Sequence, residues 1–134
     1  MAIDKKRYKI LIVDDNQFDA DLLEAVLLQL GFQNIIKTQS GIAALQLIQT
    51  HLPDLFFIDI MMPEMSGDQF RGLLKETPAT RDVPVIFISG IFSQEEEKAI
   101  SGRLPNGDLI VAKPFSKEKI ANALLECLGK AFEQ

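Results

Sequence analysis

Five short apolar runs recur along the chain at intervals of roughly 20–30 residues. Four of them are nearly continuous in Val, Ile, Leu and Phe, which is typical of parallel strands covered on both faces of a sheet. The second run is more polar and has a shorter apolar part, which predicts a strand at the sheet edge. The five predicted strands are KILIV (9–13), NIIKT (34–38), LFFID (55–59), VIFIS (85–89) and LIVAK (109–113).

Helical periodicity fills the segments between the predicted strands. The first helix is predicted from Phe18 to Leu30, with Gly31 as its stop, and the second from Gly41 to Thr50. Apolar residues recur in both at three- and four-residue spacings, which predicts an apolar face on each helix. These residues are Phe18, Leu22, Leu23, Val26, Leu27 and Leu30 in the first helix, and Ala44, Leu45 and Ile48 in the second.

Serine residues mark the starts of the other three helices. Ser66 with Gln69 and Ser93 with Glu96 have the spacing of capping boxes. Ser116 can cap the fifth helix in the same way.

The last two helices differ in their apolar content. The fourth has few apolar anchors, mainly Ala99 and Ile100, and carries three acids at 95–97, which predicts a mobile element. The fifth is predicted to run to about Phe132 and has apolar residues around much of its circumference, including Leu125. Its exposed apolar residues leave a homodimer or partner contact open, as well as a frayed terminus.

Strands that alternate with helices predict a doubly wound α/β sheet. Right-handed crossovers leave few topologies, one of which is the flavodoxin-like order 2-1-3-4-5. In that order the switch point lies between strands 1 and 3, and ligands bind beyond the carboxyl ends of the strands. We therefore expect a single (βα)5 domain over residues 1–134, with a five-stranded parallel sheet.

Composition narrows the classes of function. The chain has 134 residues, enough for one domain with a real core, and 47% of them are apolar. The net charge of −5 argues against nucleic-acid binding, which needs a basic face. No apolar run is long enough for a signal peptide or a membrane span. The one cysteine, Cys127, cannot form an internal disulfide, so we expect a cytoplasmic protein without a membrane partner.

Polar groups follow four of the five predicted strands. Asp14 and Asp15 follow the first strand, and Asp59, Ser89 and Lys113 end the third, fourth and fifth. Because the carboxyl ends of parallel strands lie at one edge of a sheet, these carboxylates, the hydroxyl and the ammonium are expected to converge there.

The acidic pair after the first strand has two interpretations. Asp15 or Asn16 can cap the next helix, whose positive end favours acids. With Asp59 added, the pair instead indicates a cation site, because three close carboxylates do not all stay ionised without a cation. Oxygen-only ligands suit Mg²⁺, and Lys113 beside them suits a phosphoryl group. Asp59, central in the sheet, is then the candidate nucleophile.

Four motifs extend this interpretation, and they occur in the order ILIVDD, FFIDIMMPEMSG, VIFISG and VAKPF. With them the chain resembles the receiver domain of two-component response regulators, and it is close in size to single-domain chemotaxis-type regulators. The resemblance extends from about Tyr8 to Phe132, which sets the expected core at about 8–132.

The resemblance implies a phosphorylation site and a metal site. Asp59 would be the phosphoacceptor. Mg²⁺ would be ligated by Asp15, by Asp59, by Asp14 directly or through water, and by the backbone carbonyl of Met61.

The resemblance also implies the groups that meet the phosphoryl oxygens. Ser89 would take the switch position, Lys113 would pair with the phosphoryl oxygens, and Gly90 would leave room for them. The Lys113–Pro114 peptide bond is expected to be cis, as it usually is in the family.

The implied phosphoryl donor is a phosphohistidine on a histidine kinase or phosphotransfer protein. Phosphorylation would pull Ser89 inward and shift a two-state equilibrium at the face of helix 4, strand 5 and helix 5, which would bind a downstream protein that the sequence does not name. Ile110 stands where the family usually has Tyr or Phe, whose rotamer follows the switch hydroxyl. The output surface is therefore expected to respond differently in this chain. Met61 and Ile91 occupy the positions that bracket the phosphoryl group, and their apolar bulk predicts slow self-dephosphorylation.

Two other functions stay open. A Mg²⁺-dependent phosphohydrolase with an aspartate nucleophile usually needs a second acid two residues later, where this chain has Met61. A pseudo-receiver would bind partners without phosphorylation, but the set of site residues is intact. His51, the only histidine, is interpreted as an ordinary loop residue rather than a phosphohistidine.

Overall fold

The computed structural model describes residues 3–129 of the chain. Within that range five strands alternate with five helices, and the strands agree with the predicted runs to within one residue. In chain order the elements are β1 Lys9–Val13, α1 Gln17–Gln29, β2 Asn34–Thr38, α2 Gly41–Leu47, β3 Leu55–Asp59, α3 Gly67–Glu76, β4 Val85–Ser89, α4 Gln94–Ala99, β5 Leu109–Ala112 and α5 Lys117–Leu128.

The sheet is parallel throughout and has the order β2-β1-β3-β4-β5. The predicted doubly wound, flavodoxin-like topology is therefore confirmed. β2 lies at one edge, and all its residues are half-buried, as its polar composition predicts. The register pairs Asp59 with Ile88 and Ser89 with Ala112, so the ends of β3, β4 and β5 lie at the same edge of the sheet.

The central strands are buried on both faces, because successive side chains of a strand point to opposite sides. Ile12 and Phe57 lie in the core shared with α1 and α5, whereas Leu11 and Phe56 lie in the core shared with α2 and α3. Continuous apolar runs are therefore needed in these strands. The helices contribute Leu23, Leu27, Ile120 and Leu124 to the first core and Ala44, Phe70 and Leu74 to the second.

The apolar face predicted for the first helix is too wide. α1 begins at Gln17, and its Phe18 and Leu22 side chains are exposed, Phe18 by 75%. A helix that lies on one face of a sheet buries only the side toward the sheet. The buried stripe of α1 consists of Ala20, Leu23, Val26 and Leu27.

Two predicted helix ends lie beyond the observed ones. α2 ends at Leu47 rather than Thr50, whose N–H donates to the Leu47 carbonyl in a closing turn. α5 ends at Leu128, and Gly129 caps it with a positive φ of 64°. The predicted extension to about Phe132 lies outside the described residues.

The serine caps occur where the sequence predicts them. Ser66 and Ser93 each form a complete capping box, and the Ser116 side chain accepts a hydrogen bond from the Lys119 N–H. Each cap satisfies backbone N–H groups that have no partner within the helix.

The prediction that Ala99 and Ile100 anchor the fourth helix is wrong. Ala99 and Ile100 are exposed, and no residue of α4, which is described in full, is buried. Glu97 makes polar contacts with both neighbouring elements instead, since its carboxylate accepts the Ala112 N–H of β5 at 2.5 Å and pairs with Lys119 of α5 at 2.8 Å. A helix of six residues is too short to define an apolar face by periodicity.

A membrane-spanning helix is absent from residues 3–129, where every helix falls short of the required length and apolar character.

Candidate functional site

Three carboxylates meet at the carboxyl edge of the sheet. One oxygen from each of Asp14, Asp15 and Asp59 lies within 4.8 Å of the other two. Asp14 and Asp59 are buried, whereas Asp15 is exposed. The structure thus brings together the three acids that the strand ends single out, with one side of the cluster open to solvent.

The loop between β1 and α1 presents the two acids of this cluster. The Asp14 N–H extends the sheet by donating to the Thr38 carbonyl at 3.0 Å, and the Asp14 carboxylate accepts the Asn16 N–H at 2.9 Å. Asn16, rather than Asp15, caps α1, because its side chain accepts the Asp19 N–H at 3.0 Å. The local capping interpretation therefore holds for Asn16 and leaves the acidic pair for other contacts.

The loop between β3 and α3 folds back onto the backbone of Asp59. The Gly67 N–H donates to the Ile60 carbonyl at 2.8 Å, and a Cβ atom on Gly67 would lie only 2.6 Å from the Asp59 carbonyl oxygen. A side chain at this position would therefore displace the peptide that carries the acid. Sequence reasoning gave Gly67 no role, and the available signals were its place directly after the cap of α3 and at the end of the motif FFIDIMMPEMSG.

Ser89 and Lys113 end neighbouring strands. Ser89 is fully buried, and its hydroxyl accepts the Ile91 N–H at 3.1 Å, while its carbonyl accepts the Lys113 N–H at 2.8 Å. The peptide bond between Lys113 and Pro114 is cis, which confirms the prediction. No atom of the described residues beyond the chain neighbours lies within 4 Å of a Cβ placed on Gly90, so there is open space beside Ser89.

The Lys113 ammonium lies among three carboxylates. Its Nζ is 2.9 Å from Asp19, 3.0 Å from Asp14 and 3.5 Å from Asp59. Asp19, in the first turn of α1, is a site residue that sequence reasoning missed. The available signal was an acid that follows the acidic pair by one helical turn.

The ionisation of the site follows from its burial and crowding. Burial, and after it the charge of the neighbouring Asp14, raise the pKa of Asp59 to about 7, although Lys113 opposes the shift. Burial alone would lower the pKa of Lys113, but its hydrogen bonds to Asp19 and Asp14 and the charge of Asp59 raise the pKa above its ordinary value. Lys113 is therefore cationic at neutral pH, while Asp59 retains a proton in part of the population.

The donor set of the acidic cluster fits a divalent cation. The three carboxylates of Asp14, Asp15 and Asp59 offer only oxygen ligands. With Asp19 they make four carboxylates, and the single positive charge of Lys113 does not neutralise the negative charge of all four. Hard cations such as Mg²⁺ prefer this donor chemistry and retain part of their water shell, which the exposed side of the cluster allows.

Of two other residues that drew attention in the sequence, His51 lies away from the acidic cluster and Met61 borders it. His51 is in the connection between α2 and β3, at the opposite end of β3 from Asp59, and its ring contacts the Thr50 hydroxyl. The Met61 N–H lies 3.4 Å from the Asp59 carboxylate, but the Met61 side chain is exposed.

Comparisons with known proteins agree with the fold. A family model described as the response regulator receiver domain matches residues 10–125. The polar-differentiation response regulator DivK of Brucella ovis is 31% identical over 122 residues, which cover 91% of this chain and 97% of that protein.

Solved structures show the same architecture. The N-terminal domain of a response regulator receiver protein from Methanoculleus marisnigri JR1 is 28% identical, with a TM-score of 0.67 over 93% of this chain and 99% of that one. The receiver domain of a sensor histidine kinase from Pseudomonas aeruginosa PAO1 is 23% identical, with a TM-score of 0.74 over 92% of this chain and 98% of that one. That protein was crystallised with a magnesium ion coordinated in its active site cleft. At this identity the second likeness shows the fold alone.

Proposed function

This chain belongs to the response regulator receiver domain family of two-component systems, and from that premise we propose that Asp59 accepts a phosphoryl group from a histidine kinase or phosphotransfer protein. One observation carries the proposal: the carboxylates of Asp14, Asp15 and Asp59 meet within 4.8 Å, and the Lys113 ammonium lies beside them. A cluster of three acids, two of them buried, with one lysine ammonium beside it suits phosphoryl transfer better than it suits a purely structural role.

Mg²⁺ is the cofactor in this proposal. Asp14, Asp15 and Asp59 would hold it, together with the backbone carbonyl of Met61 that the family resemblance implies. When bound, the cation would neutralise charge on the carboxylates and on the phosphoryl oxygens.

Asp59 acts as the nucleophile in its ionised form. One carboxylate oxygen attacks the phosphorus of the donor phosphohistidine, and a P–O bond forms while the P–N bond breaks. The electron pair of the broken bond returns to the imidazole nitrogen, which takes up a proton from water. Lys113, already 3.5 Å from Asp59, donates to the phosphoryl oxygens, and the Ser89 hydroxyl donates to another.

The proposed output surface is the face formed by α4, β5 and α5. Ser89 pairs with Ala112 in the sheet register, and the Ala112 N–H is held by Glu97 of α4, so a movement of Ser89 has a short route to this helix. Ile110 of β5 is buried in the core shared with α2 and α3, at the position where the family usually has Tyr or Phe. A cavity of about 350 Å³ lies between α4, β5 and α5 and offers room for a partner side chain.

The downstream partner is a protein, and the proposed location is the cytoplasm, where phosphohistidine donors and a reduced Cys127 are expected.

The test is to incubate the protein with acetyl phosphate and Mg²⁺ and to map the modified residue by mass spectrometry. We expect one phosphoryl group per chain on Asp59, no labelling of Asp59→Asn, and normal labelling of Asp68→Asn. Asp68 is a matched control because it is an exposed acid in the first turn of α3. Native mass before and after labelling would test the homodimer contact that the sequence leaves open at α5.

Three outcomes would contradict the proposal. Labelling that survives in Asp59→Asn would move the phosphoacceptor elsewhere. Repeated turnover of a generic phosphomonoester would favour a phosphohydrolase. A protein that binds partners and takes no label would be a pseudo-receiver.

A further inference from the structure

Asp19 makes the shortest contact of the Lys113 ammonium. Its carboxylate lies 2.9 Å from Nζ, compared with 3.0 Å for Asp14 and 3.5 Å for Asp59. An ammonium has three N–H donors, and carboxylates surround this one on three sides. The roles implied by the family resemblance include Asp14, Asp59 and Lys113 but leave Asp19 without one.

The fold holds Asp19 in place for this contact. Its backbone N–H is bound at 3.0 Å by the side chain of Asn16, the cap of α1, so the residue lies in the first helical turn. The Asp19 side chain is 23% exposed and the Lys113 side chain 14%, so the pair is only partly screened by water. The contact joins α1 to the segment after β5, which lies 94 residues later in the chain.

The charges of the site place Asp19 in competition with an incoming phosphoryl group. Both are anionic, and both need the N–H donors of the same ammonium. While Lys113 donates to Asp19 and Asp14, it is held slightly away from Asp59, where the phosphoryl group would arrive.

Resting on the proposed function, we propose that Asp19 is a positioning residue that holds Lys113 in the unphosphorylated protein and slows phosphoryl acceptance by Asp59. Transfer then requires Lys113 to exchange its bond to Asp19 for bonds to the phosphoryl oxygens. The contact between Asp19 and Lys113 slows the transfer, and Asp19 itself forms no bond to the phosphoryl group.

The first test compares the rates at which acetyl phosphate labels the wild type and Asp19→Asn in the presence of Mg²⁺. We expect Asp19→Asn to be labelled about twofold to fivefold faster, the range that corresponds to loss of one partly exposed ion pair. Asp21→Asn is the matched control, because Asp21 lies on the same helix and pairs with Lys37 at 2.7 Å, away from the acidic cluster. Its labelling rate should equal that of the wild type.

A double-mutant cycle separates restraint of Lys113 from a general reduction of negative charge. If Asp19 acts through Lys113, Asp19→Asn should not change the labelling rate in a Lys113→Ala background. If the acceleration persists there, Asp19 acts by charge alone and the proposal is overturned.

The second test uses the metal-free protein and does not depend on phosphorylation. In ¹⁵N-lysine NMR spectra we expect the Lys113 ammonium protons to exchange with water faster in Asp19→Asn than in the wild type, and at an unchanged rate in Asp21→Asn. Equal exchange, or labelling of Asp19→Asn at or below the wild-type rate, would overturn the inference. Failure of the wild type to label at Asp59 would instead overturn the proposed function.

Discussion

At the scale of single residues, Asp59 is buried, although its carboxyl group must be ionised to act as a nucleophile. Burial and the nearby Asp14 carboxylate raise its pKa to about 7, yet only the ionised form can attack phosphorus. Lys113 favours the ionised form of Asp59, but its ammonium also pairs with the carboxylates of Asp14 and Asp19. In the proposed function, a bound cation supplies the missing positive charge.

The raised pKa of Asp59 predicts how stability depends on pH in the metal-free protein. Between its ordinary pKa of 3.8 and about 7, the folded protein keeps a proton that the unfolded chain has released. Stability therefore falls as the pH rises through this window and levels off above it. Asp59→Asn removes this loss, and we expect it to be more stable than the wild type by about 1–3 kcal/mol at pH 8, with a smaller difference at pH 5.

Urea unfolding at both pH values in the presence of a chelator measures this effect. Asp68→Asn serves as the control, because it removes an exposed acid of the same charge. A stability difference between Asp59→Asn and the wild type that is the same at both pH values would count against burial as the cause.

Met61 and Ile91 lie exposed after Asp59 and Ser89, with 59% and 53% of their surfaces accessible. If they shield the phosphoryl group from water, the phosphorylated protein should lose phosphate slowly. We expect the double variant Met61→Asn with Ile91→Glu to dephosphorylate roughly tenfold faster, a change of about 1.4 kcal/mol in the barrier.

Phosphate release from the purified, labelled protein after removal of the donor measures this rate. Leu73→Asn, which alters an exposed apolar residue of α3, controls for loss of surface apolarity. A half-life of the double variant that is equal to or longer than that of the wild type would refute the shielding role.

At the scale of elements, α4 differs from its neighbours in how it is held. None of its residues is buried, and all of them are described. The described contacts from α4 to β5 and α5 include the Glu97 carboxylate on the Ala112 N–H and its ion pair with Lys119. A helix held by polar contacts opens more readily than one packed by an apolar face, which suits an element that must change in signalling.

Glu97→Ala is therefore expected to loosen α4 selectively. It removes the acceptor of the Ala112 N–H and the partner of Lys119 together, with a cost of about 0.5–1.5 kcal/mol. Amide hydrogen exchange should become faster over residues 94–100 and stay unchanged in β1 and β3.

Glu95→Ala is the control, since Glu95 is an exposed acid in the same first turn. Unchanged exchange in α4 of Glu97→Ala would show that this carboxylate does not hold the helix.

At the scale of the whole molecule, the acidic cluster joins segments that are distant in the chain. Asp14 and Asp15 follow β1, and Asp59 ends β3, while Lys113 links them to β5 and Asp19 links them to α1. A ligand bound here contacts groups that are together only in the folded state, so its binding stabilises the fold as a whole.

Mg²⁺ is therefore expected to raise the unfolding midpoint of the wild type. At 100 times its dissociation constant, a ligand specific for the folded state adds about 2.7 kcal/mol. Asp15→Asn should lose most of this gain, whereas Asp21→Asn should keep it. Thermal unfolding with and without Mg²⁺ measures the effect, and an equal gain in Asp15→Asn would exclude that residue from the metal site.

Much of the fold could be predicted from the sequence because its determinants are local or follow general rules of topology. Continuous apolar runs located the strands, since a strand buried on both faces needs apolar residues at every position. The capping serines marked three helix starts. The order of the sheet then placed Asp14, Asp15 and Asp59 at one edge, because parallel strands end on the same side.

The tertiary structure alone decided which groups meet across that edge and which faces of the helices are covered. Asp19 reaches Lys113 and Glu97 reaches Ala112 through the register of the sheet and the placement of α1 and α4 on it. The spacing of Asp19 after the acidic pair does not identify Lys113 as its partner, and no spacing relates Glu97 to Ala112. The exposure of Phe18 has the same origin, because periodicity defines an apolar stripe but not how much of it the sheet covers. The sequence by itself determined the fold and the chemistry available at the strand ends; the packing of distant elements determined how their charges are shared.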